Sequence, residues 1–172
     1  APLYCDSRQL FYTPEVRDQV IAALIAHTLA GEYDVIAGTA TGAIAPAMGV
    51  ATELKSNFVY VRKASKEHGT GQRIEGGAVR GQRVLLIEDM VTMGGSALSA
   101  VEALYAEGAA SVECLSIAEY GFAKAREAFG AAQVDYRALT TVATIVDVAY
   151  QRGLLSAAEH RQVLDWLSEQ GK

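Results

Sequence analysis

Residues 84–96, Val-Leu-Leu-Ile-Glu-Asp-Met-Val-Thr-Met-Gly-Gly-Ser, set two adjacent acids, Glu88 and Asp89, just ahead of two hydroxyls, Thr92 and Ser96, and two glycines, Gly94 and Gly95. That combination suits a sugar phosphate. Amide N–H groups of a glycine-containing turn at a helix N-terminus point at the phosphate, and the acids accept hydrogen bonds from vicinal hydroxyls. Glycine allows the backbone to approach without a Cβ in the way. The same residues would also serve an ordinary strand–turn–helix with solvated acids.

A second group of reactive types lies just upstream. Arg62, Lys63, Lys66, Arg73, Arg80 and Arg83 are six of the fifteen basic residues, set against only Glu67 and Glu75 in that stretch. The whole chain carries a net charge of −5, which argues against general nucleic-acid binding. A cationic stretch on an acidic protein suits a small polyanion. Gly69, Gly71, Gly76 and Gly77 let segment 63–82 bend. A connection of about 20 residues without apolar periodicity is often a functional lid, so the segment reads either as a mobile cationic flap or as the tip of a β-hairpin.

The elements that must position these groups alternate along the chain. Val84 to Ile87 reads as a strand buried on both faces that stops at the two acids, with a helix from Ala97 to a C′ glycine at Gly108. Thr13 and Pro14 read as N-cap and first residue of a helix, continued by Val16, Val20, Ile21, Leu24, Ile25 and Leu29 and closed at Gly31. Further strands are expected at 34–38, 58–62, 111–118 and 134–139. Further helices are expected at 42–54, 122–129, 141–152 and 157–169, the last with a Ser156/Glu159 capping box. This alternation predicts an α/β fold: one domain over 1–172, with a mainly parallel, five-stranded twisted sheet and helices on both faces. Ligands of such sheets sit beyond the carboxyl ends of the strands.

Composition agrees with a globular chain: 51% hydrophobic and 20% charged residues. No apolar run approaches the ~20 residues of a membrane span, and the first residues lack a secretory pattern. Cys5 and Cys114 are too few for a disulfide framework, so free thiols in a cytoplasmic setting are expected. His27 and His160 read as surface histidines. Trp166 belongs to a helix stripe with Val163, Leu164 and Leu167 that seeks core or subunit contact. Tyr4, Asp6 and Arg8 alternate on a strand-like segment that either faces a pocket or pairs at an edge.

Residues 84–96 resemble the phosphoribosyl-diphosphate (PRPP) signature of type I phosphoribosyltransferases. Residues 60–71, Tyr-Val-Arg-Lys-Ala-Ser-Lys-Glu-His-Gly-Thr-Gly, resemble the catalytic loop of the orotate phosphoribosyltransferases. Residues 3–12, Leu-Tyr-Cys-Asp-Ser-Arg-Gln-Leu-Phe-Tyr, are similar to the N-terminal strand near that family's orotate pocket. Residues 38–46 are similar to its pyrophosphate loop. The resemblance implies transfer of a 5-phosphoribosyl group from PRPP to orotate, with Mg²⁺ held mainly by PRPP oxygens and no protein metal cluster.

It also implies roles. Glu88 and Asp89 would hold the ribose hydroxyls, and Met90, Val91, Thr92, Met93, Gly94, Gly95 and Ser96 would wrap the 5′-phosphate. Thr39, Ala40, Thr41 and Gly42 would cradle pyrophosphate. Arg62, Lys63, Lys66 and His68 would neutralise the leaving group when the flap closes, with Asp89, Lys66 and His68 catalytic. Thr92, Arg8 and Tyr120 would meet orotate. A homodimer sharing the flap between subunits is implied, with neither nucleic acid nor membrane as partner. The chain departs from the family pattern with Glu88 where an aspartate is common, Thr41 where many relatives have lysine, and no arginine in Glu119-Tyr120-Gly121-Phe122. An N-terminal helix usual in the family is absent ahead of Leu3, which reads as a truncated N-terminus. Two other readings stay open: a phosphoribosyltransferase for another nucleobase, and a PRPP-sensing regulator without catalysis.

Overall fold

The computed structural model describes residues 5–28, 33–63 and 72–170. A 3₁₀ turn, Ser7–Phe11, leads into α1 (Pro14–Ala26). There follow β1 (Val35–Thr39), α2 (Ile44–Leu54), β2 (Asn57–Val61), β3 (Ile74–Glu75), β4 (Arg83–Val91), α3 (Gly95–Ala106), β5 (Ser111–Glu119), α4 (Ala123–Ala131), β6 (Tyr136–Thr141), α5 (Val142–Gln151) and α6 (Ala157–Gln170). No helix among the described residues is long and apolar enough to cross a membrane.

The sheet has six strands in the order β3-β2-β1-β4-β5-β6. All neighbours are parallel except β2 and β3, where Tyr60 faces Glu75 and Val61 faces Ile74. The sixth strand corrects the five expected. β3 is two residues long, too short for a period-two pattern to stand out in a glycine-rich stretch. A second correction concerns the N-terminal segment: residues 7–11 wind into a 3₁₀ turn, not a strand. Asp6 accepts hydrogen bonds there from Arg8 Nε at 2.7 Å and Gln9 Nε2 at 3.5 Å, local bonds that compete with an extended backbone.

β4 does not stop at the acids. It runs on to Val91, and Met90 and Val91 continue the register with Ala118 and Glu119 of β5. Val84, Leu85, Leu86 and Ile87 are all fully buried, as their unbroken apolar run requires. Alternate residues enter different cores. Val84 and Leu86 pack with Ala97, Val101 and Leu104 of α3, and Leu85 and Ile87 pack with Ala47 and Val50 of α2 and Leu24 of α1. A third cluster joins Val142, Val146 and Val163 under Tyr120, Leu164 and Leu167. Trp166 meets Tyr120 and Phe122 edge-on there, with ring centroids 6.1 Å apart in both pairs.

Local signals behave unevenly. The Ser156/Glu159 box forms reciprocally, with Ser156 N–H donating to Glu159 Oε2 at 2.8 Å and Glu159 N–H to Ser156 Oγ at 3.3 Å. Gly108, at φ 88°, follows α3 as expected. Thr13 takes the N-cap position of α1, yet its side chain makes no capping bond. His27 is exposed, whereas His160 is partly covered, stacked on Tyr150 and bonded to Asp147 Oδ1 at 2.7 Å. Gly31, which was to close α1, lies outside the described residues.

Strand order reverses between β1 and β4, because β1 connects outward through α2 to β2 whereas β4 connects the other way through α3 to β5. The loops leaving these two strands therefore open side by side, the usual seat of ligands in such sheets. Gly38 lets α2 start close against β1: a Cβ there would lie 2.6 Å from the Ala43 carbonyl oxygen and 2.9 Å from Ala47 Cβ. Gly38→Ala is expected to lower unfolding stability by about 1–3 kcal/mol, the scale of overpacking, as read by urea denaturation.

Candidate active site

Glu88 and Asp89 are the sixth and seventh of the nine residues of β4, and alternation sends their side chains to opposite faces. Glu88 leaves on the α3 side and is only 5% exposed. Thr39 Oγ1, at the end of β1, donates to Glu88 Oε1 at 2.5 Å, and the Asp89 N–H donates to the same oxygen at 3.1 Å. Oε2 is buried and makes no hydrogen bond among the described residues. Burial lifts the Glu88 carboxyl to about 7, the neighbouring Asp89 adds to the rise, and the Thr39 hydroxyl opposes it.

Asp89 leaves on the other face, half-buried, and accepts a hydrogen bond from Ser7 Oγ at 2.6 Å. Gly42 lies directly against its carboxylate, where an added Cβ would overlap the Asp89 oxygens. This glycine is required by close approach. The Ala40–Thr41 peptide that precedes it is cis.

Three cavities lie in a row here, the middle one at Glu88 sharing lining residues with each of the other two. The smallest, about 120 Å³, is a cup lined by Glu88 and by residues 90–97. Gly94 sits there at φ 82°, a left-handed conformation suited to glycine, and starts α3 so that the helix N-terminus closes the cup. Thr92, Met93 and Ser96 are exposed at its rim, while the Val91 side chain is buried in the core and offers the cup its backbone. Amide donors and the positive end of a 12-residue helix suit this cup to an anion.

The second cavity, about 290 Å³, is lined by Thr39, Ala40, Arg62, Lys63, Arg73, Gly95, Ser96 and Ser99 among others. Three cations face it. Arg73 is fixed by donating from Nε to the Arg62 carbonyl at 2.9 Å and from Nη1 to the Ser99 carbonyl at 3.0 Å. The third, about 450 Å³, is lined by Cys5, Asp6, Ser7, Arg8, Thr41, Gly42, Asp89, Met90, Thr92 and Tyr120. Beyond it opens an apolar hollow of about 530 Å³ that shares Cys5, Asp6, Ser7, Asp89 and Met90 and adds residues such as Leu10, Val20, Ile117 and Ile145.

The structure thus brings together Thr39, Ala40, Thr41 and Gly42, Arg62 and Lys63, the acids with residues 90–96, and Arg8 with Tyr120. Lys66 and His68 lie outside the described residues. Ser7, Arg73 and Ser99 were not foreseen at the site. Arg73 reaches it because the Arg62 N–H donates to the Arg73 carbonyl at 2.8 Å, extending the β2–β3 pairing across eleven positions of sequence. Its place in the basic run was the only signal. Ser7 became visible as a site residue only once the 3₁₀ turn folded against β4.

Among the described residues no group of three or more His, Cys, Asp or Glu is arranged to hold a metal ion. Comparison with known proteins adds a family. A model of the phosphoribosyl transferase domain matches residues 10–152. The orotate phosphoribosyltransferase of Staphylococcus saprophyticus is 38% identical over 168 residues, covering 96% of this chain and 83% of its own. Among solved structures, orotate phosphoribosyltransferase from Aeropyrum pernix superposes with a TM-score of 0.77 at 26% identity, over 89% of this chain and 85% of its own. The Mycobacterium tuberculosis enzyme in complex with PRPP superposes with a TM-score of 0.67 at 29% identity, over 81% and 82%. An acid pair on a doubly buried strand, a helix-capped anion cup and these relatives converge, and the chain belongs to the orotate phosphoribosyltransferases of the phosphoribosyl transferase domain family.

Proposed function

We propose that this chain transfers the 5-phosphoribosyl group of PRPP to orotate, giving orotidine 5′-monophosphate and pyrophosphate. One observation carries the reading: the anion cup at Glu88 shares Gly95 and Ser96 with the cation-lined cavity, and shares Met90 and Thr92 with the base-sized cavity that Asp89 lines. A ribose bridging them has its 5′-phosphate on the α3 N-terminus and its 1-diphosphate beside Arg62, Lys63 and Arg73. Its C1 then faces the cavity in which Arg8 and Tyr120 await a base.

Displacement of pyrophosphate from C1 builds positive charge on the sugar ring and negative charge on the leaving group. Fixed cations at the diphosphate stabilise the second, and the Asp89 carboxylate beside the ribose stabilises the first. Arg62 Nη1 is buried, makes no hydrogen bond among the described residues and stands 3.7 Å from Glu75 Oε1, so an incoming phosphate oxygen supplies an acceptor it lacks. A divalent cation such as Mg²⁺ fits a site whose own oxygen donors are two carboxylates, since it binds mainly through substrate phosphates and water. Such an ion would be held mainly by PRPP oxygens, and its contribution would be added neutralisation of the diphosphate.

Thr92, Arg8 and Tyr120 remain our reading of the orotate contacts. Arg8 is the one cation lining the base cavity among the described residues, and it takes the place of the missing arginine near Tyr120. Lys66 and His68 are assigned to the closing flap and to catalysis on their motif. A homodimer with a shared flap is part of the proposal, supported by apolar side chains left exposed, among them Tyr12 and Leu154. Free Cys5 and Cys114 suit a reducing cytoplasm.

The experiment is direct. Mixed with PRPP and Mg²⁺, the protein should consume orotate, followed by loss of its ultraviolet absorbance, and should leave adenine, hypoxanthine and uracil unchanged. No orotate consumption would end the reading. Asp89→Asn should cut turnover at least ~100-fold with the fold intact, the scale of losing a charge-stabilising group. Arg8→Ala should raise the KM for orotate about tenfold while the KM for PRPP stays put, as loss of one charge-assisted contact predicts.

Glu88 gives a stability test. Its folded value of about 7 exceeds the ordinary 4.5, so the folded state binds more protons than the unfolded state between those values. Its contribution is complete below about pH 4.5 and is lost as pH rises through about 7. Glu88→Gln should therefore gain stability relative to the parent on going from about pH 5 to about pH 8, by up to ~3 kcal/mol at 1.36 kcal/mol per unit. Urea melts at the two pH values check it; an unchanged difference would show that Glu88 ionises freely.

A further inference from the structure

Asp89 is held by a residue from the far end of the sequence. Ser7 Oγ donates to Asp89 Oδ2 at 2.6 Å across 82 positions. A hydroxyl on a carboxylate at that distance is a charge-assisted bond. Ser7 begins the 3₁₀ turn, but the turn makes no use of its hydroxyl: the N-cap is Asp6, with no side-chain capping bond. The same Asp89 oxygen lies closest to Gly42, where an added Cβ would overlap it. The Asp89 head is thus fixed by a hydroxyl donor and a bare backbone, with Oδ1 left to accept from a sugar hydroxyl.

The neighbours of Ser7 give the bond a second meaning. Cys5, Asp6 and Arg8 line the base cavity together with Ser7 itself. A base settling against this turn moves, or steadies, the same four residues that carry the hydroxyl held on Asp89. We infer that Ser7 is a positioning residue: it sets the Asp89 carboxylate for the transition state and couples occupancy of the base cavity to the geometry at the ribose. The inference rests on the reading of Asp89 as the acid that faces the ribose.

The role concerns placement of charge in the transition state, so it shows in kcat and not in ground-state binding. Ser7→Ala should lower kcat about tenfold or more, the scale of one hydrogen bond to a charged group, with the KM for PRPP within about twofold of the parent. Ser7→Thr, which keeps the hydroxyl, should recover most of the loss. In an Asp89→Asn background Ser7→Ala should cost less than about twofold more, because the partner it serves is gone. Urea midpoints of all variants establish that they fold; Ser7 is half-buried at the surface and lies in none of the three hydrophobic clusters. A kcat within about twofold for Ser7→Ala, a Thr variant as impaired as Ala, or a full tenfold penalty persisting beside Asp89→Asn would each overturn the inference. Parental turnover in Asp89→Asn alone would instead remove the reading on which it stands.

Discussion

Side chains alternate along a strand, so two acids adjacent in sequence cannot share a face. Glu88 and Asp89 obey this on a strand whose two faces are both covered, by α3 on one side and by α2 with α1 on the other. Their fates then diverge for reasons set by the covering helices. Glu88 is trapped beneath the start of α3, where water is scarce, and is held by Thr39 from the neighbouring strand. Asp89 emerges where α2 begins and the N-terminal turn leans in, and Ser7 and Gly42 define its position. The geometry of the site follows from this split. The small glycine-lined cup opens on the Glu88 side and the larger cavity on the Asp89 side, with the strand end between them.

How much of this is legible in the chain depends on the range of the forces involved. Val84 to Ile87 announce a doubly buried strand because burial on both faces leaves an unbroken apolar run. Gly94, Gly95 and Ser96 announce the cup because a tight turn into a helix demands those types. Thr39 and Ala40 after β1 line one cavity with Arg62 and Lys63. What escapes is non-local or short. β3 exists because two residues pair back on β2, and no periodicity marks so brief a strand. Arg73 enters the site only through that pairing. The turn at 7–11 replaces an expected strand because Asp6 finds hydrogen-bond donors within three residues, an arrangement that apolar alternation cannot reveal. The strand's end is a further case: carboxylates suggest solvent, yet β4 continues past them since Met90 and Val91 still have β5 to pair with.

The charge distribution explains why an acidic chain can serve a polyanionic substrate. A net charge of −5 repels a diphosphate at long range, but salt screens that repulsion over about 8–10 Å. Binding is decided inside that distance, where Arg62, Lys63 and Arg73 converge on one cavity and the α3 N-terminus on the next. Arg73 is held by two backbone carbonyls and so spends little further conformational freedom when an anion arrives. Arg62 is only loosely satisfied by Glu75 at 3.7 Å and keeps a buried nitrogen without a hydrogen bond among the described residues. A buried donor left unmatched is a standing cost to the fold. The same cost favours occupancy, because a phosphate oxygen relieves it. Glu88 works in the opposite sense: burial raises its carboxyl to about 7, so near neutrality the acid lining the cup carries less than a full negative charge. Local placement of charge, with each group's burial tuning its sign and strength, outweighs the sum over the whole surface.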